Sequence, residues 1–229
     1  MRALPWFIAS LVHGSVSRAA LPRCLRASGG FSFSRLRGPV RAMQPDTQSR
    51  FLFLLSSARM GGNTEHLARQ AARTLTCPCD WLDLNALTLP AFSDPRPALP
   101  PPLTGDLDRI VDHMRAASDI CFVAPVYWYS LPAPAKTLLD HWSGLLDQPD
   151  LGFPLWIKAK RLWLITVRAD PDPSVPDLSE AMLKRTALWL GMGWGGALHG
   201  VADAPGEIVQ DVAWQKAATF FAAPEPNVA

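Results

Sequence analysis

From Phe51 onward the chain alternates short, wholly apolar runs with longer amphipathic stretches, and few folds accept that rhythm. Phe51-Leu52-Phe53-Leu54-Leu55 and Ile120 to Ala124 are continuous apolar runs, the pattern of strands buried on both faces. Trp81 to Leu84 reads as a second strand, Arg161 to Val167 as a fourth and Gly196 to Val201 as a fifth. Between them, Leu67, Ala68, Ala71, Ala72 and Leu75 recur at helical spacing, as do Leu107, Ile110, Val111 and Met114. Leu138, Leu139, Trp142, Leu145 and Leu146 mark a third helix, Leu178 to Leu190 a fourth and Ile208 to Phe221 a fifth. Strands that alternate with helices need crossover connections. The expected architecture is therefore α/β, a parallel sheet with helices on both faces.

Charge divides the chain of 229 residues unevenly. Residues 1–42 hold seven Arg and no acidic residue, whereas the remainder holds 15 basic and 20 acidic side chains. An Arg- and Ser-rich, acid-free leader has the composition of a transit-like segment, of a disordered extension, or of a start placed upstream of a true start at Met43. We set 1–42, with Cys24, apart from the domain expected over 43–229. The mildly acidic body argues against a general nucleic-acid binder. No apolar run reaches the length of a membrane span, and the expected compartment is the cytoplasm. Six prolines between Ala86 and Thr104 exclude helix and central strand there; a loop of that length is either functional or poorly ordered.

In an open parallel sheet, ligands bind beyond the carboxyl ends of the strands, where the winding direction reverses. After the first strand comes Ser56-Ser57-Ala58-Arg59-Met60-Gly61-Gly62-Asn63-Thr64, leading into a helix. Glycines permit a tight turn, and hydroxyls, amides and free helix N–H groups make an anion cradle. Arg59 adds a planar donor fork suited to phosphate. An ordinary turn capped by Asn63 would explain one residue, not Ser57, Arg59 and two glycines together. Neither a Walker ending nor G-x-G-x-x-G is present in this loop. After the third strand comes Pro125-Val126-Tyr127-Trp128-Tyr129-Ser130-Leu131-Pro132. Strand alternation could bury one or two of the three aromatics; all three at the ligand end suit a flat, conjugated molecule.

Taken together, the two loops resemble those of the NAD(P)H-dependent FMN reductase family. The family's first loop runs roughly Gly-Ser-x-Arg-x-x-Gly-Asn-Thr; Ser56 stands for its glycine, and Ser57, Arg59, Gly62, Asn63 and Thr64 match. Its second motif is matched by Pro125, Tyr127, Trp128, Pro132, Lys136 and Asp140, with Tyr129 in place of a glycine. The resemblance spans about 51–221 and implies a flavodoxin-like three-layer sandwich with strand order 2-1-3-4-5. It implies that Ser57, Arg59, Gly62, Asn63 and Thr64 hold the FMN phosphate, and that Pro125, Val126, Tyr127, Trp128, Tyr129 and Ser130 lie along the isoalloxazine and ribityl chain. It implies NADPH or NADH as hydride donor and a quinone, a flavin or another small molecule as acceptor. A homo-oligomer, dimer or tetramer, is implied as well. The cofactor carries the chemistry, so no catalytic side chain is assigned. Arg168 stands after the fourth strand where such chains are often Gly-rich; there it either supports a reduced flavin or crowds the site.

The rival readings are a flavodoxin-like electron carrier and a flavin-binding protein without nicotinamide turnover. Arg59 and the weakly acidic body argue against a carrier. Other motifs read as structural. Cys77-Pro78-Cys79 is too tight for the usual C-x-x-C pattern. The glycine-rich stretch Gly191 to Gly196 follows a helix, so it reads as helix C-cap and strand entry. His66, His113 and His141 lie in expected helices without a second metal ligand at helical spacing, and no metal is assigned. Asp170 and Asp172 suit turn chemistry. The tryptophans other than Trp128 read mostly as packing.

Overall fold

The computed structural model describes residues 49–96, 98 and 101–222. The expectation for 1–42, with Cys24, lies outside them. Five strands are present: β1 (Phe51–Leu55), β2 (Cys79–Asp83), β3 (Asp119–Val123), β4 (Arg161–Arg168) and β5 (Gly193–Val201). All pairs are parallel, in the order β2-β1-β3-β4-β5. The expected architecture and strand order are both found. The chain winds outward from β1 to β2, then returns across β1 to place β3 on its other side. The winding therefore reverses between β1 and β3, and Leu55 lies beside Val123 at the carboxyl end.

Period-two alternation sends each strand's side chains into two cores. Phe51 and Phe53 join α1 (Asn63–Ala72) and α6 (Val212–Ala217) on one face, through Leu67, Ala71, Ala213 and Ala217. Leu52 and Leu54 join α2 (Gly105–Ala116), α3 (Ala133–Leu146), α4 (Phe153–Ile157) and α5 (Asp177–Trp189) on the other.

Two helical expectations change. The stretch Ile208 to Phe221 is not one helix: Asp211 is extended (φ −78°, ψ 149°) and its Oδ1 caps the Ala213 N–H, so α6 starts only at Val212 between two 3₁₀ turns. The short α4 was unforeseen; it follows the left-handed Gly152 and has Pro154 in its first turn. Strand β5 begins at Gly193, earlier than the expected Gly196. Helix α5 ends at Trp189 and Gly191 takes the left-handed turn (φ +71°), so the glycine-rich stretch is helix cap and strand entry as read. Gly195 falls at the bulge between β4 and β5, and a Cβ there would overlap the indole of the fully buried Trp163. That close approach, not a nucleotide, requires the glycine.

The described part of the proline-rich segment is packed against the core. Leu87, Leu89 and Leu103 lie against the α2/α3 core, and His141 Nε2 donates to the Pro90 carbonyl at 2.8 Å. Phe92 sits edge-on to the His141 ring and within reach of Gly144. No helix among the described residues is long and apolar enough to cross a membrane.

Candidate functional site

The loop after β1 and the loop after β3 leave the sheet side by side. Ser56 is buried, and its N–H donates to the Val123 carbonyl at 3.1 Å, so the first loop starts flush against β3. Ser57 Oγ then accepts the Arg59 N–H at 3.2 Å, which tightens the turn. Gly61 is left-handed (φ +61°) and Gly62 is the N-cap of α1, in extended geometry with no capping side chain. The helix is thus capped by Gly62, and Asn63 is its first residue. A Cβ at Gly62 would lie 3.3 Å from the Arg59 carbonyl oxygen, so the backbone turns too closely there for an easy side chain.

The consequence is a set of open donors. The N–H groups of Gly62, Asn63 and Thr64 meet no acceptor among the described residues, as expected where a helix start lacks a side-chain cap. The exposed Arg59 guanidinium likewise makes no hydrogen bond or ion pair with a described residue. Open N–H groups at the positive end of a ten-residue helix, with a free guanidinium beside them, fit an anion such as a flavin phosphate. The Asn63 side chain is committed elsewhere: Nδ2 donates to the Ala204 carbonyl and Oδ1 accepts the Gly206 N–H, each at 2.8 Å. Only its backbone is open. Thr64 is buried under the helix start.

The second loop continues the sheet before it turns. Ala124 and Val126 donate to the carbonyls of Ile165 and Val167, at 3.0 and 3.1 Å. Tyr127 and Ser130 then exchange both backbone hydrogen bonds and close a two-residue hairpin. Its central residues are Trp128 (φ +51°) and Tyr129 (φ +63°). Two positive φ angles define the type I′ class, which favours Asn-Gly because side chains are strained there. Two bulky aromatics in that position are a genuine outlier. Both are exposed, Trp128 at 93%. Among the tryptophans, Trp189 is also exposed; Trp142, Trp163 and Trp194 are buried. Pro125 and Val126 are half-buried at the root of the hairpin.

Arg168 is mostly buried and turns back on its own loop, with Nε donating to the Asp172 carbonyl at 2.9 Å. It organises the turn after β4, where Asp170 and Asp172 accept local N–H groups as turn residues do. Lys136 and Asp140 form an i,i+4 pair on exposed α3. His113 meets Asp80, and Cys77, Cys79 and Cys121 are free thiols. Burial pushes the Cys79 thiol up to about 11, with the neighbouring Cys77 adding to the effect, so it holds its proton. Among the described residues no group of three or more His, Cys, Asp or Glu could hold a metal ion.

Three features escaped the sequence. Asn85 Nδ2 donates to the Ser57 carbonyl at 2.8 Å and fixes the first loop from β2. The Ala204–Gly206 turn fixes it from β5. Glu65 Oε2 accepts the Gly61 N–H at 2.9 Å, inside the same loop. Only Glu65 had a readable signal, an acid in the first turn of a helix.

Comparison with known proteins agrees with this geometry. Residues 49–151 match the family described as NADPH-dependent FMN reductase. This segment is similar to that family. It contains both loops of the candidate site. Solved structures share the fold at low identity. The Trp repressor binding protein of Bacillus subtilis superimposes with a TM-score of 0.61 at 21% identity, over 77% of this chain and 99% of that one. An NAD(P)H:quinone oxidoreductase of Methanothermobacter marburgensis gives 0.60 at 12%, over 80% and 99%. An FMN-dependent NADH-azoreductase of Bacillus anthracis, solved with FMN, gives 0.54 at 13%, over 76% and 98%. No protein of curated function matches the sequence. The matched segment therefore lies in a flavodoxin-like sheet whose last two strands lie beyond the family match.

Proposed function

We propose that the protein is an FMN-dependent oxidoreductase that takes a hydride from NADPH or NADH and passes electrons to a small acceptor such as a quinone or a flavin. The observation that carries this reading is the set of open donors at the start of α1, with Arg59, unpaired among the described residues, in the same loop, at the winding reversal of a family-matched segment. When bound, FMN supplies the hydride and electron chemistry.

The chain supplies position. The N–H groups of Gly62, Asn63 and Thr64, with Arg59 and Ser57, would hold the phosphate. Asn63 and Asn85, through their side chains, keep that loop in place from β5 and β2. Residues Pro125 to Ser130 would wall one side of the ring, Tyr127, Trp128 and Tyr129 offering aromatic surface and the Trp128–Tyr129 turn its backbone. Packing of this kind excludes water from a flat ligand and orients it.

The test is an absorbance spectrum of the full-length protein supplied with FMN, before and after anaerobic addition of NADPH or NADH. Retained flavin bands that bleach support a reductase. Bands that persist with both nicotinamides defeat that reading and leave a carrier. No retained flavin overturns FMN binding altogether. Gel filtration of the same sample reports whether the homo-oligomer implied by the resemblance forms.

A further inference from the structure

The anion loop contains its own carboxylate. Glu65, in the first turn of α1, accepts the Gly61 N–H at 2.9 Å through Oε2. Its other oxygen, Oε1, accepts from Arg69 Nε at 2.8 Å and lies 2.7 Å from a second Arg69 nitrogen. Arg69 is itself held, its guanidinium 4.4 Å from the centre of the Trp81 ring, and Trp81 stacks on Phe53 at 4.0 Å. The carboxylate is therefore anchored through a stacked, half-buried series of groups rather than waving from the helix. The small hollow bounded by Ser57, Arg59 and Met60 is also bounded by Glu65 and Asp83. It thus brings Arg59, which makes no hydrogen bond or ion pair with a described residue, together with two carboxylates.

We propose that Glu65 is an intramolecular competitor for the phosphate of the bound flavin, which weakens binding and keeps the flavin exchangeable. This rests on the phosphate reading of the loop given above. The physics is an exchange of acceptors. In the structure the Gly61 N–H donates to the side-chain carboxylate, so a phosphate gains only the remaining donors, or must displace Glu65 from Gly61. Either way a negative charge stays beside the dianion, opposing Arg59 and the positive end of the helix. Pairing with Arg69 reduces that opposition without removing it. A plain capping-box role, in which an acid three residues into a helix satisfies an N–H near its start, accounts for the geometry. It predicts an effect on stability alone.

Flavin titrations separate the two. FMN and riboflavin, which differ only in the phosphate, are titrated by fluorescence into the wild type, Glu65→Gln, Glu65→Ala and Arg59→Ala. Thermal unfolding of each variant is measured in parallel. Gln keeps an acceptor for Gly61 and removes the charge; Ala removes both. FMN should bind both Glu65 variants about fivefold more tightly, the upper range for a single surface ion pair. Riboflavin affinity should not change. The gain should shrink at high salt, where the charge is screened. After gel filtration the Glu65 variants should retain more FMN than the wild type. Equal FMN affinity in the wild type and both Glu65 variants, while FMN still outbinds riboflavin and Arg59→Ala still weakens it, overturns the competitor and leaves the phosphate loop intact. FMN binding no better than riboflavin in every protein overturns the phosphate reading and the competitor with it.

Discussion

The two ends of the sheet treat their polar groups in opposite ways. At the amino end, Asp119 is only 2% exposed, yet it accepts from Trp163 Nε1 at 2.8 Å and Ser118 Oγ at 2.7 Å, and pairs with Arg161 Nε at 2.9 Å. Lys160 donates to the Arg115 and Ala117 carbonyls at the end of α2, and burial pushes its ammonium down to about 8. Burial alone would raise the Asp80 carboxyl; hydrogen bonds from His113 and Arg50 outweigh it and hold it below the usual range. Each charge there has a partner within the fold. At the carboxyl end, N–H groups at the start of α1 and the Arg59 guanidinium meet no partner among the described residues, and two aromatics sit strained and exposed on a hairpin. Groups that the fold satisfies work for stability. Groups that it leaves open, where a parallel sheet receives ligands, work for binding.

If that division holds, substitutions at one end should leave the other end's property unchanged. The largest effect is expected for Trp163→Ala, which empties a fully buried indole site on β4 packed against Phe51, Phe220 and Phe221; unfolding in urea should show a loss of about 4 kcal/mol. Asp119→Ala removes the shared acceptor of Trp163, Ser118 and Arg161 and should cost about 3 kcal/mol in the same assay. In both, FMN affinity of the folded fraction should match the wild type, and a large drop would break the division. Arg59→Ala should do the reverse. It should weaken FMN by about 2 kcal/mol through loss of a charge-assisted bond, with urea unfolding unchanged. The smallest and most diagnostic change is Tyr129→Gly. Relief of a left-handed backbone should raise stability by about 1 kcal/mol without ligand, while removing aromatic surface from the site. A stability loss there would mean that the Tyr129 ring packs as core after all.

The sequence made some of this contrast legible. The loop after β1 could be singled out because its pattern is local: Ser57, Arg59, Gly61 and Gly62 are consecutive or nearly so, and a helix start follows them. The Gly191–Gly196 stretch could be placed because it follows a helix rather than a strand. The role of Asn63 could not. Its side chain bonds to Ala204 and Gly206, far along the chain, and no local pattern announces such a contact. The same holds for Asn85 on the Ser57 carbonyl, and for Asp119 beneath Trp163. Arg168 looked like a ligand-facing charge from its place at the carboxyl end of β4. Only the loop that folds over it shows its guanidinium spent on the Asp172 carbonyl.

Periodicity and turn chemistry, which act over a few residues, determined the five strands, the parallel sheet with helices on both faces, and the two loops at the carboxyl ends of β1 and β3. Tertiary structure decided the rest, because those outcomes depend on groups distant in sequence. It set Trp128 and Tyr129 in left-handed geometry by pairing Tyr127 with Ser130 at the end of a β4-bound segment. It broke the last helix at Asp211 and laid the proline-rich segment on His141. It placed Glu65 on the Gly61 N–H, with Trp81 from the neighbouring strand bracing Arg69, so that a carboxylate lines the same hollow as Arg59.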